Sequence, residues 1–129
     1  MTPSGLEYVR NWLIKANNDI KVAERELNSA DPVTDAVCFH CQQAVEKFLK
    51  TYLIFHSREV GKTHNVYILL EDCGEIDAEF VEVDLKNINF FGVNVRYPDE
   101  FYTPTIDESR EYLDIAKKIK SMVEDRLQL

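Results

Sequence analysis

The chain has 129 residues and carries 15 Lys and Arg against 23 Asp and Glu, a formal net charge of −8. That length suits one domain over residues 1–129, and 45% hydrophobic residues are enough to bury a core, which excludes a disordered chain. The acidic balance excludes a protein that coats nucleic acid by charge alone, since that needs a dense Lys/Arg surface. It leaves room for one local basic site. Only four Gly and four Pro argue against an all-β domain with many tight turns. Three Cys, an odd number with two of them close together, do not make a disulfide framework. A reducing cytoplasm is the simpler expectation. Residues 1–5 are polar and residues 6–27 are studded with charge, so neither a signal peptide nor a membrane span is expected.

The first predicted helix covers residues 6–28. Leu13, Ala16, Ile20, Ala23 and Leu27 recur at spacings of three and four, the mark of one apolar helix face. Pro32 stops it. The second covers residues 33–55, with Thr34 or Asp35 as its N-cap. Val37, Cys41, Phe48 and Tyr52 fall within about 60° of one another, and Ala44, Val45 and Leu49 widen that arc. This is the most apolar helix, so it is placed centrally. His40, Gln43, Lys47 and Lys50 form a second stripe, within about 80° on the far side. Its ordinary reading is a solvated face.

A polar connection with Gly61 follows. Thr63 then reads as the N-cap of a short helix over residues 64–73, with Val66, Leu69, Leu70 and Cys73 inward and Gly74 as its C-terminal cap. A further helix is predicted over residues 78–89, with Phe80, Val83, Leu85 and Ile88 apolar. Residues 90–95 fit either a loop or continued helix. Pro98 and Pro104 bracket a loop. The last predicted helix covers residues 106–127, with Tyr112, Ala116, Ile119 and Val123 on one face. Acids at its start and lysines further on suit the helix dipole. The fold class is all-α, an antiparallel up-and-down bundle of four to five helices.

Chemical motifs are few. Cys38-Phe39-His40-Cys41 lacks the strand-then-helix context of a redox pair and the second ligand pair of a zinc site. No metal and no cofactor is expected. No phosphate loop, dinucleotide fingerprint or nucleophile elbow is present. Arg58-Glu59-Val60-Gly61-Lys62-Thr63-His64 sets an arginine, a lysine and a histidine around one loop. His64 suits a general acid or base near neutral pH, and Arg58 suits a developing phosphate charge. Free amides at residues 63–67 would favour a phosphate as well. The plain alternative makes Arg58 and Lys62 solubilising residues and His64 a local packing residue. Arg96-Tyr97-Pro98-Asp99 suits either a phosphate grip with base stacking or a structural turn.

Together these segments resemble the HEPN domain family. That family has a first helix with an Asp near its middle. Its central helix resembles Cys38-Phe39-His40-Cys41-Gln42-Gln43-Ala44-Val45-Glu46-Lys47-Phe48-Leu49-Lys50-Thr51-Tyr52-Leu53 here. A Thr-His pair before leucines (Thr63-His64, Leu69-Leu70) and an Arg-Tyr-Pro stretch (Arg96-Tyr97-Pro98) follow in order. The resemblance implies a helical bundle, a homodimer, and association with nucleotides or RNA. It also implies a small nucleotidyltransferase as partner, often as toxin and antitoxin. In the ribonuclease branch, an Arg followed four to six residues later by a His makes a metal-independent site, a spacing that Arg58 and His64 fit.

Three functions compete. One is a binding module for a nucleotide or a nucleotidyltransferase partner, using His40, Gln43, Lys47, Lys50, His64, Arg96 and Tyr97. The second is an endoribonuclease toxin using Arg58 and His64. The third is a non-catalytic scaffold. The charge is uneven along the chain. Residues 71–108 hold eleven acids against Lys86 and Arg96, a net of −9, so the rest sums to +1.

Overall fold

A computed structural model describes residues 1–92 and 102–129. The expectations for Arg96, Tyr97 and Pro98 fall outside the described residues. Within them the secondary structure is helical throughout, so the all-α class holds.

Helix α1 is Pro3–Leu27. Thr2 caps it, accepting a hydrogen bond from the Gly5 amide at 3.0 Å, and Pro3 sits in the first turn where it has no amide to lose. Helix α2 is Thr34–Phe55. Its N-cap is Val33, with no side-chain capping bond, so neither Thr34 nor Asp35 plays that part. Glu26 at the end of α1 instead accepts the Val33 amide at 3.0 Å, tying the start of α2 to the end of α1.

Helix α3 is Val66–Ile76, two residues later than the sequence suggests. Asn65, not Thr63, is the cap: its Oδ1 accepts from the Tyr67 amide at 3.0 Å. Thr63 makes a small turn of its own, taking the Asn65 amide at 3.1 Å. His64 therefore precedes the helix. Gly74 is interior, and Asp77 is the C-cap. A Cβ at Gly74 would lie 2.4 Å from Val81 Cγ1, so the absent side chain admits the next segment.

The helix expected over residues 78–89 is replaced by two short 3₁₀ turns, Ala78–Glu82 and Ile88–Phe91. Phe80, Val83, Leu85 and Ile88 are buried nonetheless. The break lies at Lys86, whose φ of 51° is left-handed. Asp84 Oδ1 accepts the Lys86 amide at 2.9 Å, and Tyr67 donates its hydroxyl to the Lys86 carbonyl. These local bonds compete with the helical ladder and win. Helix α4 is Ile106–Leu127, opened by a reciprocal capping box of Thr105 and Glu108.

The core is continuous. Ala16, Ile20 and Ala23 of α1, Val37 to Leu53 on the inward arc of α2, and Ala116, Ile119 and Val123 of α4 are all buried. Helix α1 runs antiparallel to α2, to which residues 28–33 join it. It is antiparallel to α4 too, because Asn17 meets Glu124 while Glu24 meets Lys117. Helix α4 lies along α2 in the same sense: Cys38 bonds Ser109 near both starts, and Tyr52 and Arg126 flank Phe80 near both ends. Alternation along the chain would itself give α2 and α4 one sense, but α3 breaks the alternation: His64 before its start meets Glu46 and Cys73 near its end donates to the Leu49 carbonyl, so α3 runs with α2 and not against it. The long connection between α3 and α4 permits the shared direction. No helix of the described residues is long and apolar enough to cross a membrane.

Candidate functional site

Two buried carboxylates organise the polar side of α2. The first is Asp19 of α1, 7% exposed. Its two oxygens serve different partners: Oδ1 lies 2.8 Å from His40 Nδ1, and Oδ2 accepts from Lys47 Nζ at 2.6 Å. Both partners stand on α2, seven residues apart, so two turns of one helix grip one acid of the next. The second is Glu46 of α2, 6% exposed. Its Oε2 accepts from Lys50 Nζ at 3.0 Å and lies 2.9 Å from His64 Nδ1. Burial alone pushes the Glu46 carboxyl up. Hydrogen bonds from His64, Lys50 and Gln42 outweigh it, and the carboxyl is held below its ordinary value.

Gln42 links the parts. It is fully buried, and its Nε2 reaches both the His64 carbonyl at 3.3 Å and Glu46 Oε1 at 3.4 Å. Its Oε1 accepts from Gln43 Nε2 at 2.7 Å. A Cβ on Gly92 would come within 2.9 Å of the same amide. The backbone at Gly92 thus lies directly against Gln42 and closes the site from that side.

His40, Gln43, Lys47 and Lys50 do share one face, as their spacing suggests. The solvated reading of that face is corrected. Lys50 is buried, and His40, Gln43 and Lys47 are half-buried. An unpaired charge at that depth would be costly, so each lysine has its acid. Both imidazoles are held through Nδ1, which sets the ring so that Nε2 is turned away from the carboxylate. The His64 side chain is 74% exposed.

Arg58 and His64 do not share a partner. Arg58 Nη1 pairs with Glu75 Oε2 at 3.0 Å, on the outside of the molecule, while His64 turns to Glu46. Of the phosphate-binding amides expected over residues 63–67, the last three are taken. Asn65, Val66 and Tyr67 donate to Thr63, Asn89 and Asn65 side chains. An anion at that helix start would have to displace them. Cys38, Cys41 and Cys73 are buried and unpaired. Burial pushes the Cys38 thiol up to about 11 and the Cys73 thiol up to about 12, and pushes Cys41 in the same direction. Such thiols are poor thiolate donors. Among the described residues, no three His, Cys, Asp or Glu side chains converge as a metal site would require.

Asp19, Gln42 and Glu46 escape a reading by charge pattern, because the chain is rich in acids. One signal was available for Asp19. It falls beside Ala16 and Ile20 on the inward side of an amphipathic helix, where an unpaired acid does not belong.

The HEPN domain family matches residues 9–126 of the chain. Searches of the curated proteins and of the solved structures give no significant match.

Proposed function

The chain belongs to the HEPN domain family, and on that footing we propose that it is a binding module for a nucleotide. The ligand's phosphates meet the α2 face of His40, Gln43, Lys47 and Lys50, with His64 at its flank. The observation that carries this reading is the paired construction of that face. Each buried carboxylate holds one lysine and one imidazole in place before any ligand arrives. Such preorganisation lowers the ordering cost of binding. The working unit is a homodimer in a reducing cytoplasm, beside a small nucleotidyltransferase; three buried, unpaired thiols accord with that compartment. Titration calorimetry with ATP, GTP and a short RNA tests the reading. Saturable heat and a raised melting temperature are expected. No heat at millimolar ligand, with an unchanged melting temperature, would overturn it.

A second reading has an observation behind it, the His64–Glu46 pair. A carboxylate on Nδ1 that leaves Nε2 outward is the arrangement of an oriented general base. In an endoribonuclease, His64 would take the proton of a ribose 2′-hydroxyl as that oxygen attacks the adjacent phosphate; the P–O5′ bond breaks, leaving a 2′,3′-cyclic phosphate and, once the leaving oxygen is protonated, a free 5′-hydroxyl. Arg58 would have to leave Glu75 to steady that phosphate. Cleavage of labelled RNA in EDTA, abolished in His64→Ala, would favour this reading over simple binding.

A further inference from the structure

Large aromatic rings usually spend their area in a core. Tyr8 is 53% exposed, and Trp12 is half-buried. The two rings meet edge to face, with centroids 6.3 Å apart. They stand on α1 at positions that carry them to the polar site. Tyr8, Trp12, Lys15 and Asp19 are spaced by four, three and four residues, so they fall within about 60° of one another on the helix. Asp19 is the acid that holds His40 and Lys47. Lys15, between the rings and Asp19, is exposed and has no acid partner among the described residues. The stripe therefore runs from an aromatic pair, past a free ammonium, to a cluster of lysine and imidazole. From Trp12 to Asp19 the rise is roughly 10 Å. One nucleotide with its phosphates extended covers that span.

We propose that Tyr8 and Trp12 form a nucleobase subsite, on which the base stacks while its phosphates lie toward Lys15, Lys47 and His40. This rests on the binding reading above and assigns the two ends of the ligand. The ligand class is a base joined to phosphate, either a free nucleotide or the end of an RNA single strand. Aromatic faces joined to a cationic track hold both, because every base has a π face.

Trp12 is the one tryptophan of the chain, so its emission reports the subsite directly. The probes are ATP, a short oligoadenylate and inorganic tripolyphosphate, each titrated by fluorescence and by calorimetry. ATP or the oligoadenylate is expected to quench Trp12 saturably, and whichever binds more tightly identifies the source. Tripolyphosphate is expected to bind without quenching. Tyr8→Ser and Trp12→Leu are expected to weaken the adenine ligand about 10-fold and leave tripolyphosphate unchanged. Tyr8→Ser changes an exposed ring, so it remains informative where Trp12→Leu fails to fold. Equal affinity for ATP and tripolyphosphate, with unaltered emission, would overturn the subsite and leave the binding module standing. No binding of any probe would overturn both. Dissociation of a dimer in these variants, with ligand affinity unchanged, would assign the rings to a subunit contact and overturn the subsite.

Discussion

The α2 face and the loop that follows it look alike as sequence and differ as structure. Both are basic and carry histidine: Lys47 and Lys50 with His40 on one, Arg58 and Lys62 with His64 on the other. On α2, the charges sink against Asp19 and Glu46, whose side chains are 10% and 8% exposed. In the loop, Arg58 and Glu75 pair at 44% and 63% exposure. Water screens the exposed pair fully and the α2 pairs less, since their acids are buried. What separates the two regions is the acid opposite each cation and how deeply it is buried. His64 belongs to the loop by sequence and to the α2 cluster by contact, because Glu46 and Gln42 hold it there.

Removing a buried acid is the strongest way to break this comparison. Asp19→Ala leaves Lys47 and His40 without their carboxylate. A loss of about 3 kcal/mol is expected, read as a lower urea midpoint at constant slope. An unchanged midpoint would mean that the cluster is as solvated as the loop.

The next effect is a pH dependence with a defined sign. The folded chain holds the Glu46 carboxyl below its ordinary value, so the unfolded chain takes up that proton first. The stabilisation is complete above the unfolded pKa, about 4.3, and is lost as pH falls through the lower folded value. Glu46→Gln removes it. The difference in urea midpoint between wild type and variant should therefore be widest near about pH 6 and narrow below about pH 4. A constant difference would remove Glu46 from the paired cluster.

The smallest effect sharpens the other side. Arg58→Ala removes an exposed ion pair, and a change within about 0.5 kcal/mol is expected in the same unfolding measurement. If RNA cleavage is found and this variant abolishes it at unaltered stability, Arg58 is a functional residue whose side chain contributes nothing to folding.

Much of the fold was legible because burial has a period. Ala16, Ile20 and Ala23, the arc from Val37 to Tyr52, and Tyr112 to Val123 all turn inward as their spacing indicates. The span of α4 matches the predicted residues 106–127, and the structure adds the Thr105–Glu108 capping box that fixes its start. The region after α3 was not legible. Phe80, Val83, Leu85 and Ile88 kept their burial but not their helix, because Asp84 and Lys86 close a local turn that apolar spacing does not reveal. The cap of α3 depends partly on Asn89, 23 residues away from the Val66 amide it accepts.

By itself, the sequence determined an all-α chain, its three long helices, their inward faces and the polar stripe on the central one. These follow from local periodicity, capping and composition, which act within a few turns. Only the tertiary structure decided that the stripe is an ion-paired cluster and not a wet surface. It also decided that His64 joins Glu46 while Arg58 turns away to Glu75, and that His40 and Lys47 share the one acid Asp19 of another helix. The physical reason is common to all three. A charge acquires its role from the partner that packing brings to it and from the water that packing removes, and both come from residues distant in the chain.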